Sequence, residues 1–232
     1  MKVLSKNSLP IDSIAYSLMV EDIQRACDLF SDIYKKTNGN DGYVSIEIPP
    51  TIEKKDEIIK WTRDLYTRVE RSNVMIKIPA TDDGILAEEE LIKEGINLNM
   101  TLIFSTDVYE RVLNAYINAI DFRYKNNLDT SVFSVASFFV SRIDTEIDNQ
   151  LDLIASKEKN PDNKKKILSY KGKAAVSNSL MAYSKYLKIF SDENFIRLSK
   201  RGFKIQKLLW ASTSTKNPNY RDTLYIDELC LK

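Results

Sequence analysis

The sequence contains no histidine. That excludes Ser-His-Asp and Cys-His catalysis and makes a zinc site an unexpected feature. Any acid-base work falls to carboxylates, lysine, tyrosine or water. Cysteine is almost as scarce. Cys27 and Cys230 stand far apart, without a metal-ligand neighbour at short spacing. Cys27 falls on the apolar face of a helical segment and reads as a small core residue. A surplus of one charge is lacking too: 34 Lys and Arg oppose 33 Asp and Glu, a net +1 at neutral pH. A nucleic-acid partner would need a basic excess or stripe. The run Lys164-Lys165-Lys166 reads as a solvated helix start. No apolar run reaches the roughly 20 residues that span a bilayer. The opening MKVLSKNSLPIDS has no signal-peptide core. The expectation is a cytoplasmic protein with neither membrane nor nucleic acid as partner, and with no internal repeat.

What is present is an alternation of strand and helix. Residues 21–36 repeat apolar side chains at the helical period, and Asn38-Gly39 stops them. YVSIEIP (43–49) alternates as a strand does, and Pro49-Pro50 ends it. A helix over 54–70, a strand over 74–80 and a short helix over 84–94 follow, with Gly95 placed as a C-terminal stop. Then come a strand over 96–104, a helix over 106–125 capped by Ser105, and a strand over 131–142. A long helical section covers 143–200, with a loop at 159–163. A strand over 204–213 and a helix start over 223–229 complete the series.

Five strands separated by helices imply right-handed crossovers and a parallel sheet. An open sheet covered on both sides would be apolar on both faces. Here Val44, Ile46 and Ile48 oppose Ser45 and Glu47, and Val74, Ile76 and Ile78 oppose Lys77. Leu98, Met100 and Leu102 oppose Asn97, Asn99 and Thr101; Ala136, Phe138 and Val140 oppose Ser137, Phe139 and Ser141. A polar ring of this kind fits the interior of a (β/α)8 barrel of the TIM type, whose strand ends carry the catalytic groups. About five of the eight strands are recognisable, so the expectation is an incomplete barrel in one domain over 1–232, with an atypical segment at 1–20.

Lys77, inside VMIKIPAT (74–81), is the residue that most needs a reason. A buried ammonium costs several kcal/mol even after relaxation. Three readings stand: a lysine snorkelling from an edge strand, a buried ion pair with Glu47, or a nucleophile whose neutral amine attacks a carbonyl to give an iminium electron sink. The third carries a demand. A free lysine amine is neutral in only about one molecule in 2,500 at neutral pH. Burial among aliphatic neighbours is the usual way to free its lone pair. A carboxylate in direct contact would oppose that effect, so on this reading Glu47 acts through a water.

Several blocks together resemble the transaldolase family: KIPAT (77–81), GINLNMTLIFS (95–105), VASFFVSRIDTEID (135–148) and LLWASTSTKNPNYRDTLYIDEL (208–229). The segment from 21 to 48 is similar as well, and the longer branch of the family fits best. The resemblance implies transfer of a dihydroxyacetone unit between sugar phosphates of the pentose phosphate pathway, from sedoheptulose 7-phosphate to glyceraldehyde 3-phosphate. It implies no cofactor and no metal. By motif, Lys77 is similar to the Schiff-base lysine, and Glu47 to the glutamate that holds a catalytic water. Asn99 and Thr101 match residues that bind donor hydroxyls and that water, Thr101 counting with the catalytic group. Ser137 and Phe139 match the substrate pocket, Arg142 a phosphate-binding arginine, and Ser212 and Lys216 the hydroxyl and second cation of that phosphate site. The competing readings are an ion pair of Arg142 with Asp144 and simple strand-end bonding for Asn99 and Thr101.

The family opens with an aspartate-bearing strand and a T-S-N-P-like motif, and neither stands upstream of Glu21. Asp12 reads as a helix cap. A last strand after YIDEL is absent as well. The chain is therefore expected to be a fragment, a truncated product of low isolated activity, or one part of a barrel that another chain or copy completes. Two alternatives to transaldolase remain: an inactive phosphosugar-binding or oligomer-forming module, and a fructose 6-phosphate aldolase.

Overall fold

Helix α1 runs from Ile11 to Lys36, ten residues earlier than the period suggests. Its first turns contain no glycine, and apolar side chains continue through Ile14, Leu18 and Val20, so nothing stops helix propagation there. The computed structural model describes residues 11–191, 195–196, 199 and 202–230, with side chains from residue 14 onward. The segment before Ile11 and the Asp12 side chain lie outside the described residues. Val20 and Cys27 face the core, and burial pushes the Cys27 thiol up to about 11, which leaves it inert. Gln24 Nε2 donates to the Arg68 and Val69 carbonyls at 3.1 and 3.3 Å. Asn38 and Gly39 adopt left-handed φ values of 50° and 67° and end the helix.

The remaining elements alternate. They are β1 (Val44–Glu47), α2 (Lys55–Val69), β2 (Val74–Pro79), α3 (Asp82–Glu94), β3 (Leu98–Ile103), α4 (Thr106–Lys125) and β4 (Ser134–Phe139). Then follow α5 (Ser141–Lys157), α6 (Pro161–Leu168), α7 (Ala174–Phe190), β5 (Lys207–Ala211) and α8 (Leu224–Leu229). The strands form one five-stranded sheet in chain order, β1-β2-β3-β4-β5. β1 pairs in parallel with β2, and β4 with β5. Parallel strands in chain order with a helix after each are the pattern of an incomplete (β/α)8 barrel. Two compact units divide the chain: Met1–Met100 with Ala115–Ser134, and Thr101–Asn114 with Val135–Lys232.

In the first unit, Val74, Ile76 and Ile78 of β2 are fully buried, each worth about 1.5–3 kcal/mol. Asn97 serves as a clamp at the start of β3. It donates to the Ser72 and Val74 carbonyls and accepts from Phe133 N at 2.9 Å. Gly95 closes α3 at φ 94°. Its left-handed backbone faces the Arg123 guanidinium, which bonds the Lys93 carbonyl at 2.7 Å.

In the second unit, Ser105 caps α4 by accepting from Asp107 N at 3.1 Å. The long helical section resolves into α5, α6 and α7. Asn160 caps α6 through Asp162 N and Asn163 N, and Lys164, Lys165 and Lys166 are exposed, as read from the sequence. Two expectations fail here. Leu102 does not join the apolar face of β3: its φ is 60° and it is 43% exposed, while Ile103 takes the buried place. Strand β4 stops at Phe139, so Ser141 and Arg142 belong to the first turn of α5 rather than to a strand.

Candidate active site

The polar side chains of the first unit converge because of strand geometry. Parallel register sets Glu47 of β1 directly opposite Lys77 of β2. Their charged ends meet at 3.5 Å, Lys77 Nζ to Glu47 Oε2. This differs from a contact bridged by water. Adjacent opposite charges on one face draw together, although 3.5 Å is long for a good hydrogen bond. The Lys77 side chain is 28% exposed and that of Glu47 50%. Lys77 thus stands on the polar face of β2, opposite the face that buries Ile76 and Ile78, with its amine in reach of water.

A second contact shows the curvature of this face. Asn99 Nδ2 on β3 donates to Ser45 Oγ on β1 at 3.2 Å. Strand β2 lies between them. Neighbouring strands stand about 4.8 Å apart, so in a flat sheet β1 and β3 would be separated by about 10 Å. Two short side chains close that gap only if the face is concave. Ser45, Glu47, Lys77 and Asn99 therefore line the inside of a curved sheet, as a barrel interior requires.

The KIPAT segment also fixes where β2 ends. Thr81 caps α3, its Oγ1 accepting from Gly84 N at 3.1 Å. A Cβ at Gly84 would stand 1.9 Å from the Pro79 carbonyl oxygen. Helix α3 thus starts hard against the strand that carries Lys77.

The second unit presents its own group. Thr101 is fully buried and its Oγ1 has no protein hydrogen-bond partner. Ser137 and Phe139 on β4 are buried at 2% and 7%. The Phe139 ring faces Phe104 at 5.1 Å and the Arg142 guanidinium at 5.0 Å. Past their last residues, β4 and β5 stay joined. Val140 N donates to the Ala211 carbonyl at 2.9 Å and Ser141 N to the Ser212 carbonyl at 3.0 Å, while the Ser141 and Ser212 hydroxyls meet at 2.9 Å. Ser212 adopts φ 56°, a left-handed conformation that costs a non-glycine residue about 1–3 kcal/mol. Arg142 is exposed on the first turn of α5, where the helix end carries partial positive charge.

The ion pair of Arg142 with Asp144 is not formed. Asp144 is committed elsewhere, accepting from Ala175 N and from Tyr225 Oη, both at 2.8 Å. Lys216 donates to Ser214 Oγ at 2.7 Å. It lines a cavity of about 200 Å³ together with Asp144, Asp148, Asp152, Lys171 and Tyr220. Those carboxylates disfavour an anion there.

The sequence matches the transaldolase/fructose-6-phosphate aldolase family over residues 1–232. The chain belongs to that family. It is 46% identical over 226 residues to a transaldolase of Trichodesmium erythraeum, covering 97% of this chain and 60% of the relative. It is 45% identical over 224 residues to transaldolase 2 of a Nostoc species, with 95% and 59% covered, and 40% identical over 228 residues to a transaldolase of Mycolicibacterium smegmatis, with 97% and 59% covered. The chain thus spans about 60% of the length of the curated relatives it matches. Among the described residues no helix is long and apolar enough to cross a membrane.

Two residues of this family member were not singled out from sequence. Ser45 gave only a polar position on a strand, and its partner Asn99 is 54 residues away. Gly84 has an ordinary helical place, and only the packing shows its need. Ser45→Ala should loosen Asn99, whose amide loses one of its anchors. We expect the Asn99 side-chain amide resonances to shift and broaden, with stability changed by about 1 kcal/mol or less. NMR and thermal melts read the two quantities separately; unchanged Asn99 resonances would show that Ser45 does not hold it.

Asp144 supplies a pH prediction. Burial is the main cause that raises its pKa, with the Asp148 charge adding, while bonds from Ala175 N and Tyr225 Oη pull the other way. The folded state therefore holds this proton more tightly than the unfolded chain does. Its contribution is most favourable below the ordinary carboxylate range and declines as pH rises through the raised value. The amide of an Asp144→Asn variant cannot ionise, so the Tm difference between variant and wild type should move in the variant's favour from about pH 4 to pH 7. A difference independent of pH would contradict this.

Proposed function

We propose that this chain performs transaldolase chemistry through an imine at Lys77, with sugar phosphates as substrates and the cytoplasm as its location. The observation that carries the reading is the concave, polar strand face that gathers Lys77, Glu47, Ser45 and Asn99. The direct 3.5 Å contact with Glu47, where the sequence suggested a bridging water, makes that carboxylate the acceptor of the proton that the amine must lose before it attacks. The neutral amine adds to the ketose carbonyl, and loss of water gives the iminium. The bond between the carbons α and β to the iminium carbon then breaks as the β-hydroxyl passes its proton through water to Glu47. The electron pair stays as an enamine and the aldose phosphate leaves. The enamine carbon attacks the acceptor aldehyde, and water releases the new ketose and the amine. Glu47, half exposed and in contact with the amine, is placed to move protons to and from the water that is lost and regained.

In the second unit, Arg142 and Ser212 are the residues we assign to phosphate. A guanidinium beside a helix N-terminus favours that group. The acidic cavity beside Lys216 makes it the weaker candidate for a second cation. A buried Thr101 hydroxyl without a protein partner would cost about 1–3 kcal/mol, which supports a role in holding water or a substrate hydroxyl. Ser137 and Phe139, buried on β4 of the same unit, are assigned to substrate as well.

The family description includes fructose-6-phosphate aldolases, so the second reading is cleavage without an acceptor. Incubation with fructose 6-phosphate, with and without erythrose 4-phosphate, separates them. Sedoheptulose 7-phosphate formed only with the acceptor supports transfer. Free dihydroxyacetone at equal rate without it supports the aldolase.

A further inference from the structure

Two buried aspartates on α5 have no part in the chemistry above, and both bridge the same pair of neighbouring segments. Asp144 is 1% exposed and Asp148 6%. Four residues apart, they stand on one face of the helix. Each gives its two carboxylate oxygens to different partners. Asp144 Oδ1 accepts from Ala175 N in the first turn of α7, and its Oδ2 accepts from Tyr225 Oη, both at 2.8 Å. Asp148 Oδ1 accepts from Gly172 N at 3.0 Å, just before α7, and its Oδ2 accepts from Tyr220 Oη. Gly172 leaves room for that tyrosine: a Cβ there would stand 3.0 Å from Tyr220 Cζ. Hydrogen bonds to an ionised carboxylate are among the stronger ones. Helix α5 thus holds the start of α7 with one set of oxygens and the segment 220–225 with the other.

We propose that Tyr220 and Tyr225, acting through Asp148 and Asp144, are positioning residues that fix the turn after β5 for phosphate. The inference rests on the assignment of Arg142 and Ser212 to phosphate. The loop 212–223 joins β5 to α8. Its near end is strained, because Ser212 sits at φ 56°. A non-glycine residue stays there only when its surroundings over-determine it. Ser141 N bonds the Ser212 carbonyl at 3.0 Å and the two hydroxyls meet at 2.9 Å, so the near end is held against the start of α5. The far end is held by the two tyrosines against the same helix. The Tyr225 ring adds to that hold, packed with Val140, Ala175 and Leu229.

Arg142 lies in the first turn of α5. One rigid element therefore carries Arg142 and both attachments of the loop that bears Ser212, which fixes their mutual distance. Asp144 adds a second effect. It follows Arg142 by two residues, and its bonds with Ala175 and Tyr225 keep it from neutralising that guanidinium.

The double exchange Tyr220→Phe with Tyr225→Phe tests this, since it removes both hydroxyls and keeps both rings. Folding is kept, because Asp144 and Asp148 line a cavity of about 200 Å³ where water can replace the lost donors. NMR of the full chain titrated with inorganic phosphate reads two quantities. The Arg142 Nε–Hε resonance gives the dissociation constant, and the Cα and Cβ shifts of Ser212 report its left-handed backbone. The double variant should bind phosphate about tenfold more weakly than wild type. Its Ser212 shifts should move toward those of ordinary backbone, and each single exchange should give part of both effects. A hold that serves stability alone would lower Tm and move neither quantity. Binding equal to wild type, or weaker binding with the Ser212 shifts unmoved, would overturn the proposal. Arg142→Ala, followed at Ser212, separates this from the assignment beneath it. Where Arg142→Ala abolishes binding and the double variant binds as wild type does, the positioning role alone falls. Where phosphate moves neither Arg142 nor Ser212 in wild type, the phosphate assignment falls and takes this proposal with it. None of these outcomes depends on the chemistry at Lys77.

Discussion

Replacing Lys77 with methionine should reduce borohydride trapping of fructose 6-phosphate to background. Methionine keeps the length and the apolar stem but has no amine, so no imine can form. The loss should be complete, and Glu47→Gln should differ from it in kind. With the amine still present, the adduct forms at the same site but about 10²–10⁴-fold more slowly, the range for loss of a general acid-base group. Folding should survive both changes. The contact that they break is 3.5 Å long and joins side chains 28% and 50% exposed, and a pair of that kind contributes about 0–1 kcal/mol. Circular dichroism and a thermal melt confirm the fold, and mass spectrometry of the reduced protein reads the adduct. Undiminished trapping in the methionine variant would remove Lys77 from the reaction.

The second large effect concerns stability. Gly84→Ala should lower it by about 3 kcal/mol. Alanine is the better helix former by about 1 kcal/mol, so propensity alone predicts a gain. Packing reverses the sign. The new Cβ would sit 1.9 Å from the Pro79 carbonyl oxygen and 3.1 Å from its carbon. Both are backbone atoms at the end of β2 and cannot turn aside. Relief requires the first turn of α3 to move, which also strains the Thr81 cap on Gly84 N. For a chain of this size the cost corresponds to a Tm lower by about 6–12 °C. A melt at or above the wild-type temperature would show that α3 gives way cheaply.

Much of the fold is legible where one local rule governs. Gly95 past an amphipathic run, Ser105 before another and Pro49-Pro50 after a strand each act through their own backbone, and the structure places the ends there. The alternation in β1 also buries Ile46 and Ile48 on one face and sets Glu47 on the opposite, polar face. Where the outcome depends on neighbours, the sequence misleads. Leu102 continues an apolar alternation, yet its backbone turns left-handed and exposes it. Arg142 follows seven residues of strand-like pattern, but pairing with β5 passes into the turn at Ser141 and the helix starts first. The contact of Lys77 with Glu47 follows from register, which strand periodicity alone does not supply. The bond between Ser45 and Asn99 follows from curvature, and Gly84 from a close approach. All three need the assembled sheet.

The central claim is that the amine of Lys77 forms the imine. The direct measurement is peptide-resolved mass spectrometry of the wild-type chain after borohydride reduction with fructose 6-phosphate. The account predicts one modified tryptic peptide, residues 72–93, uncut at Lys77. It should be heavier by one reduced hexose phosphate, or by the reduced dihydroxyacetone unit left when the aldose phosphate departs. An adduct spread over exposed lysines such as Lys164, Lys165 and Lys166, or an unmodified peptide ending at Lys77, would contradict it.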